Sequence, residues 1–103
     1  MITIKLDYIN NQINKIEIKG HANAGKYGQD IVCSAVSACV IGGINNLNGF
    51  NKNEIEIKEG YVLIDIKHTL DEHDIVTLET IIRQLETISE SNSKHIQIVR
   101  KEY

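Results

Sequence analysis

The sequence has no proline and no tryptophan, only two cysteines, and a single phenylalanine beside four tyrosines. The missing Pro and Trp, next to an abundance of Ile, Asn and Lys, reflect coding bias more than function. Two cysteines are too few for a disulfide scaffold. Cys33 and Cys39 lie in what reads as one helix, roughly 120° apart around its axis, so a bridge between them would break the helix. No Lys/Arg cluster is longer than two and the formal net charge is −3. Nucleic-acid binding by phosphate neutralisation is therefore not expected, whereas a weak acidic field leaves room for a basic peptide. No stretch approaches the roughly 20 apolar residues of a membrane helix. The start, MITIKLDYIN, alternates apolar and polar and lacks the basic and apolar regions of a signal peptide. A cytosolic protein without membrane or direct nucleic-acid contacts is expected. Repeats, low-complexity tracts and linkers are also missing, so residues 1–103 should form a single domain.

What is present is a clear order of elements. Ile2, Ile4, Leu6 and Tyr8 alternate with polar residues, as in a strand with one buried face. Asn10-Asn11-Gln12 is turn chemistry. Ile16 and Ile18 then mark a second strand that ends at Gly20 and completes a hairpin. From Ile31 to about Leu47 the period changes: Val32, Val36, Val40, Ile44 and Leu47 recur at helical spacing, widened by Ala35, Ala38, Cys39 and Ile41. So broad an apolar stripe predicts burial on more than one side. Ile55 and Ile57, the turn Glu59-Gly60, then Val62, Ile64 and Ile66 read as a second hairpin. Asp71 to about Ser89 is the clearest helix, with acidic residues in its first turn. His95 to Val99 is a last short strand. The fold class is α+β: a ββαββαβ order, with two helices packed on a largely antiparallel five-stranded sheet. Which strands are neighbours does not follow from these patterns.

The chemistry gathers in GHANAGKYGQDIVCSAVSA, Gly20 to Ala38. Asp30 directly precedes the helical run and is the expected N-cap. Cys33 would then fall in the first turn, where free N–H groups and the helix dipole favour thiolate, the nucleophilic form. The same N–H groups would suit the oxyanion of an acyl-transfer intermediate. His21, at the end of the second strand, precedes Cys33 by twelve positions. A loop with Gly25 and Gly28 could return its imidazole to the sulfur, as general base and later as acid. Spacing alone leaves the inert alternative open: a lone Cys in an apolar stripe is commonly a buried structural residue.

The same residues resemble the signature of the ribosomal-processing cysteine protease family, Prp. The matching positions are Gly20, His21, Ala22, Tyr27, Gly28, Asp30, Ile31, Val32, Cys33, Ser34, Ala35, Val36 and Ser37. The resemblance implies a cysteine endopeptidase of this size and element order, with His21 and Cys33 as catalytic dyad and Asp30 and Ser37 in support. It implies a substrate loop holding Gly25, Tyr27 and Gly28. Asn23-Ala24-Gly25 departs from the Tyr-containing loop of many relatives and leaves Tyr27 as the loop aromatic. The implied substrate is a large-subunit ribosomal protein precursor, whose short N-terminal extension is cut after paired aromatic residues. A homodimer without cofactor is implied as well.

Two rival readings remain. A non-catalytic ribosome-associated or protein-binding module could keep the same fold. A metal site from His21, Cys33, Cys39 and another His is disfavoured, because the spacing matches no zinc pattern. Cys39 reads as core. His68, His73 and His95 read as solvated, with His68 the reserve base. Asp71, Glu72 and Asp74 read as a helix start. Tyr8, Tyr61 and Tyr103 read as packing or interface residues.

Overall fold

The computed structural model of the protein describes residues 1–21 and 27–103, and of residues 27–30 the backbone alone. β1 (Ile2–Ile9) and β2 (Gln12–Lys19) form the first hairpin. Its turn is Asn10–Asn11, at φ 52° and 63°. That is the left-handed pair a two-residue type I′ loop requires, and Asn tolerates it. Gln12, expected in the turn, already belongs to β2. The pairing shifts from Asp7↔Lys15 to Tyr8↔Ile13, so Asn14 is an extra residue. A bulge of this kind flips side-chain parity. Ile13 and Ile16 are consequently both buried, and the alternation that marks a strand is interrupted.

The first helix, α1 (Tyr27–Asn45), starts a turn earlier than the expected Ile31. Gly28 falls inside its first turn. Val32, Val36 and Val40 are buried, with Cys33, Ile44 and Leu47 packed against the same core. Each fully buried Val contributes about 1.5–3 kcal/mol. Burial on several sides is only partly realised: Ile31 is 68% exposed, and Ala38 and Gly42 are also exposed. Bonds from Asn46 N–H to the Gly43 carbonyl and from Leu47 N–H to the Ile44 carbonyl tighten the helix end.

A short 3-10 turn (Lys52–Glu54) leads into β3 (Ile55–Lys58) and β4 (Tyr61–Asp65). α2 (Glu72–Ser91) follows, capped by the Asp71 carboxylate, which accepts from the Asp74 N–H at 2.8 Å. It buries Leu78, Ile81, Ile82 and Leu85. β5 (Ile96–Glu102) runs beyond the expected end at Val99. The sheet order is β3-β4-β2-β1-β5, antiparallel except for the β1–β5 pair. Ile2, Ile4, Leu6, Ile16, Ile18, Ile64 and Ile96 form one face and meet both helices in a single core. The ββαββαβ order and two-layer α+β architecture are those expected. Among the described residues no helix is long and apolar enough to cross a membrane.

This order places the site. β2 ends at Lys19, and its neighbour β4 begins at Tyr61, directly opposite. β1 begins and β3 ends at the same end of the sheet. A chain leaving β2 is thus delivered beside the β3–β4 turn, below the N-terminal half of α1.

Candidate active site

Gly20 and His21 follow β2. Gly20 has φ +101°, and a Cβ there would stand 2.5 Å from the Met1 carbonyl oxygen, so the position requires glycine. The Gly20 N–H donates to the Gly60 carbonyl at 2.9 Å. The Met1 ammonium donates to the His21 carbonyl at 2.7 Å. The His21 backbone is therefore tied to β1, while its imidazole lies over Gly60, itself at φ +70°. The ring is exposed toward solvent.

His21 and Cys33 line one cavity of about 330 Å³, at the small end of the range for ligand pockets. Ser37 lines it too, one turn after Cys33, with Val36, Val40 and Ile41 from the same helix. Cys33 is half-buried and packs against the core. The far wall is the β3–β4 hairpin: Ile57, Lys58, Glu59, Gly60, Tyr61 and Val62. Tyr61 donates its hydroxyl to Glu17 Oε2 at 2.7 Å. That bond, then burial and the Glu17 and Glu56 charges, push its pKa up to about 12. The phenol stays protonated at neutral pH and bound to Glu17, which disqualifies it as a proton shuttle.

Three expectations change. Asp30 is the fourth residue of α1 and cannot be its N-cap. Cys33 is the seventh, in the second turn, past the four residues whose N–H groups are free at a helix start. Neither dipole activation nor an oxyanion site from that helix start can be assigned to it. Tyr27 and Gly28, expected in a substrate loop, are in the first turn of α1. Gly25 and the side chains of Tyr27 and Asp30 lie outside the described residues.

The other histidines and the second cysteine are elsewhere. His68, the reserve base, is away from the cavity: its Nδ1 is 2.6 Å from Glu54 Oε2, and Phe50 meets its ring edge-on. It is half-buried, not solvated. His73 bonds the Asn46 carbonyl at 2.8 Å. Cys39 is not core; it lines an open groove between α1 and α2 with His73, Val76 and Ile81. Asp74, read as part of an acidic helix start, is fully buried and accepts from the Asn48 and Gly49 N–H groups, each at 2.9 Å. Among the described residues no group of three His, Cys, Asp or Glu could hold a metal ion. Sequence reasoning missed the hairpin wall, and above all Gly60. The Glu59-Gly60 turn was visible, but its place beside His21 depends on the β2–β4 pairing.

A thiol and an imidazole on one cavity, in a chain whose neighbouring phenol is committed elsewhere, are the equipment of a cysteine hydrolase. The sequence model of the family described as cysteine protease Prp matches residues 1–97, and the chain belongs to that family of ribosomal-processing cysteine proteases. The ribosomal processing cysteine protease Prp of Bacillus subtilis is 33% identical over 95 residues, covering 84% of each chain. That of Staphylococcus aureus is 29% identical over 104 residues, covering 95% of this chain and 97% of the other. The crystal structure of the S. aureus protease with a covalently linked product peptide superimposes with a TM-score of 0.84 at 29% identity, covering 98% of this chain and 100% of that one.

Proposed function

We propose that the protein is a cytoplasmic endopeptidase that removes the N-terminal extension of a large-subunit ribosomal protein precursor, with Cys33 as nucleophile and His21 as its base. The observation that carries this reading is the meeting of His21 and Cys33 on one cavity. The imidazole takes the thiol proton as sulfur attacks the scissile carbonyl. The C–N bond then breaks, His21 returns the proton to the leaving amine, and a thioester remains on Cys33. Water, deprotonated by His21, attacks the thioester and releases the acid product and the thiol. The covalently linked product peptide of the S. aureus relative is consistent with such an intermediate. Ser37, on the cavity wall, and Asp30, one turn before Cys33 along α1, are proposed as supporting residues. The residue 22–30 segment, with Gly25, Tyr27 and Gly28, is proposed to meet the substrate. Residues 1–103 are read as one protease domain, and the working unit as a homodimer.

The test is cleavage of a precursor peptide carrying the extension with paired aromatic residues. Wild type should cut after that pair, and both Cys33→Ala and His21→Ala should lose at least about a thousandfold in kcat. A Cys33→Ala enzyme as fast as wild type would overturn the mechanism. Sedimentation of the purified chain reads the dimer directly.

A further inference from the structure

β3 is an edge strand whose inner partner is β4; among the described residues no strand pairs its outer side. The direction of its main-chain groups follows from two bonds across β2 and β4. The Gly20 N–H donates to the Gly60 carbonyl at 2.9 Å and the Ile66 N–H to the Asn14 carbonyl at 3.1 Å. Hydrogen-bonded and non-bonded pairs alternate along an antiparallel ladder. Gly60, Val62 and Ile64 therefore turn toward β2, and Tyr61 and Leu63 toward β3. Ile57 opposes Val62, and Ile55 opposes Ile64. The N–H and C=O groups of Ile55 and Ile57 consequently point away from β4, to the open edge.

The geometry points to this edge as the strand-pairing site for the peptide substrate: an extended substrate segment adds as a sixth strand beside β3, bonded to the main chain of Ile55 and Ile57. The occupant is set by continuity with the cavity, since Ile57 and Lys58 line it together with His21 and Cys33. A strand docked on β3 runs directly into that cavity. Ile57 is 50% exposed and lies on the helix-facing side of the sheet, in line with Val62 and Ile18. A substrate side chain opposite Ile57 shares that face and enters the apolar part of the cavity beside Ile41 and Val62, so an apolar residue is selected there. Main-chain bonds supply affinity and such a pocket supplies selectivity.

Short, charged edge strands also serve to prevent pairing. Here the charges do not guard the edge. Glu56 and Lys58 pair with each other at 2.6 Å, on the face away from the helices, and β3 contains neither proline nor a bulge.

The inference rests on the peptidase reading but is measured without turnover. Amide exchange is followed by NMR in the Cys33→Ala protein, with and without the precursor peptide. The Ile55 and Ile57 amides should slow at least tenfold, while the amides of the opposite edge strand, β5, keep their rates. A peptide that leaves the Ile55 and Ile57 amides at their free rates overturns the proposal. In the active enzyme, Ile57→Pro removes an outward N–H that makes no ladder bond. It should lower kcat/KM for the peptide at least tenfold, and Ile57→Ala by much less. Equal losses would place the effect in the side chain and overturn the strand pairing. A wild type that cuts no precursor peptide would instead sink the peptidase reading, leaving the exchange result to decide the edge.

Discussion

The imidazole of His21 rests on the backbone of Gly60, so closely that a Cβ at position 60 would stand 2.6 Å from His21 Nε2. Gly60 also has φ +70°, where side chains are strained. Gly60→Ala should therefore act twice. Strain should cost about 1–3 kcal/mol of stability, and displacement of His21 by an ångström should lower kcat roughly a hundredfold. Gly60→Asn separates the two, because Asn tolerates the left-handed region yet carries the same Cβ. It should keep most of the stability and still lose the rate, read by thermal unfolding and peptide cleavage. A Gly60→Asn enzyme with wild-type kcat would show that His21 does not depend on this contact.

Cys33 and Cys39 are both half-buried on one helix, but Cys33 lines the cavity of His21, whereas Cys39 lies in an open groove with His73, whose Nε2 is bonded to the Asn46 carbonyl. Iodoacetamide at pH 7, followed by peptide mapping, should label Cys33 at least tenfold faster than Cys39, since His21 is proposed as the base for Cys33 while the His73 ring is engaged with the Asn46 carbonyl. His21→Ala should abolish most of that preference. Equal labelling of the two thiols in wild type would favour a non-catalytic module.

The adjacent glycines of α1 make opposite predictions. A Cβ at Gly42 meets nothing within 4 Å, whereas one at Gly43 would lie 2.3 Å from Cδ1 and Cγ1 of Ile81 on α2. Ile81 is 1% exposed and β-branched, so it has little room to yield. Gly42→Ala should stabilise by about 0.5–1 kcal/mol through helix propensity. Gly43→Ala should destabilise by about 1–3 kcal/mol through overpacking. Urea unfolding of the two variants checks the signs, and a stabilising Gly43→Ala would mean that the helices can separate there freely.

The elements were legible in the sequence wherever period and turn chemistry agreed: β1, the β3–β4 hairpin and α2 lie close to where their patterns put them. The failures have physical causes. Asn14 is the extra residue of a bulge, and one extra residue hides a period-2 strand. α1 starts before its apolar stripe, because Tyr27-Gly28-Gln29-Asp30 carries no apolar residue at helical spacing to announce a helix. The dyad candidates were legible as residue types, and the structure does bring His21 and Cys33 to one cavity. The wall opposite them was not legible, because Gly60 reaches His21 only through the β2–β4 pairing, and strand order is a long-range property.

Glu54 carries the clearest pH dependence of stability. It is 2% exposed and accepts from the Asn51 N–H at 2.9 Å, the Lys67 N–H at 2.7 Å and His68 Nδ1 at 2.6 Å. Burial opposes its charge and is the largest single effect, but the two backbone bonds and then His68 together outweigh it and lower the pKa to about 2 from 4.5. With the carboxylate ionised, Nδ1 of His68 must carry the bonded proton. The unfolded chain protonates the Glu54 carboxylate more readily than the folded one, so folding is favoured wherever that carboxylate is ionised in both states. The stabilisation is fully present above about pH 4.5 and is lost as pH falls toward about 2. Glu54→Gln should weaken the protein at pH 7 by about 2 kcal/mol, as charge-assisted bonds are replaced by a mismatched amide. Its stability should also fall less steeply than that of wild type between pH 4.5 and 2. His68→Ala should do the same more weakly, since both backbone bonds remain. Urea midpoints across this range decide it: parallel acid limbs for wild type and Glu54→Gln would mean that Glu54 does not carry the linkage.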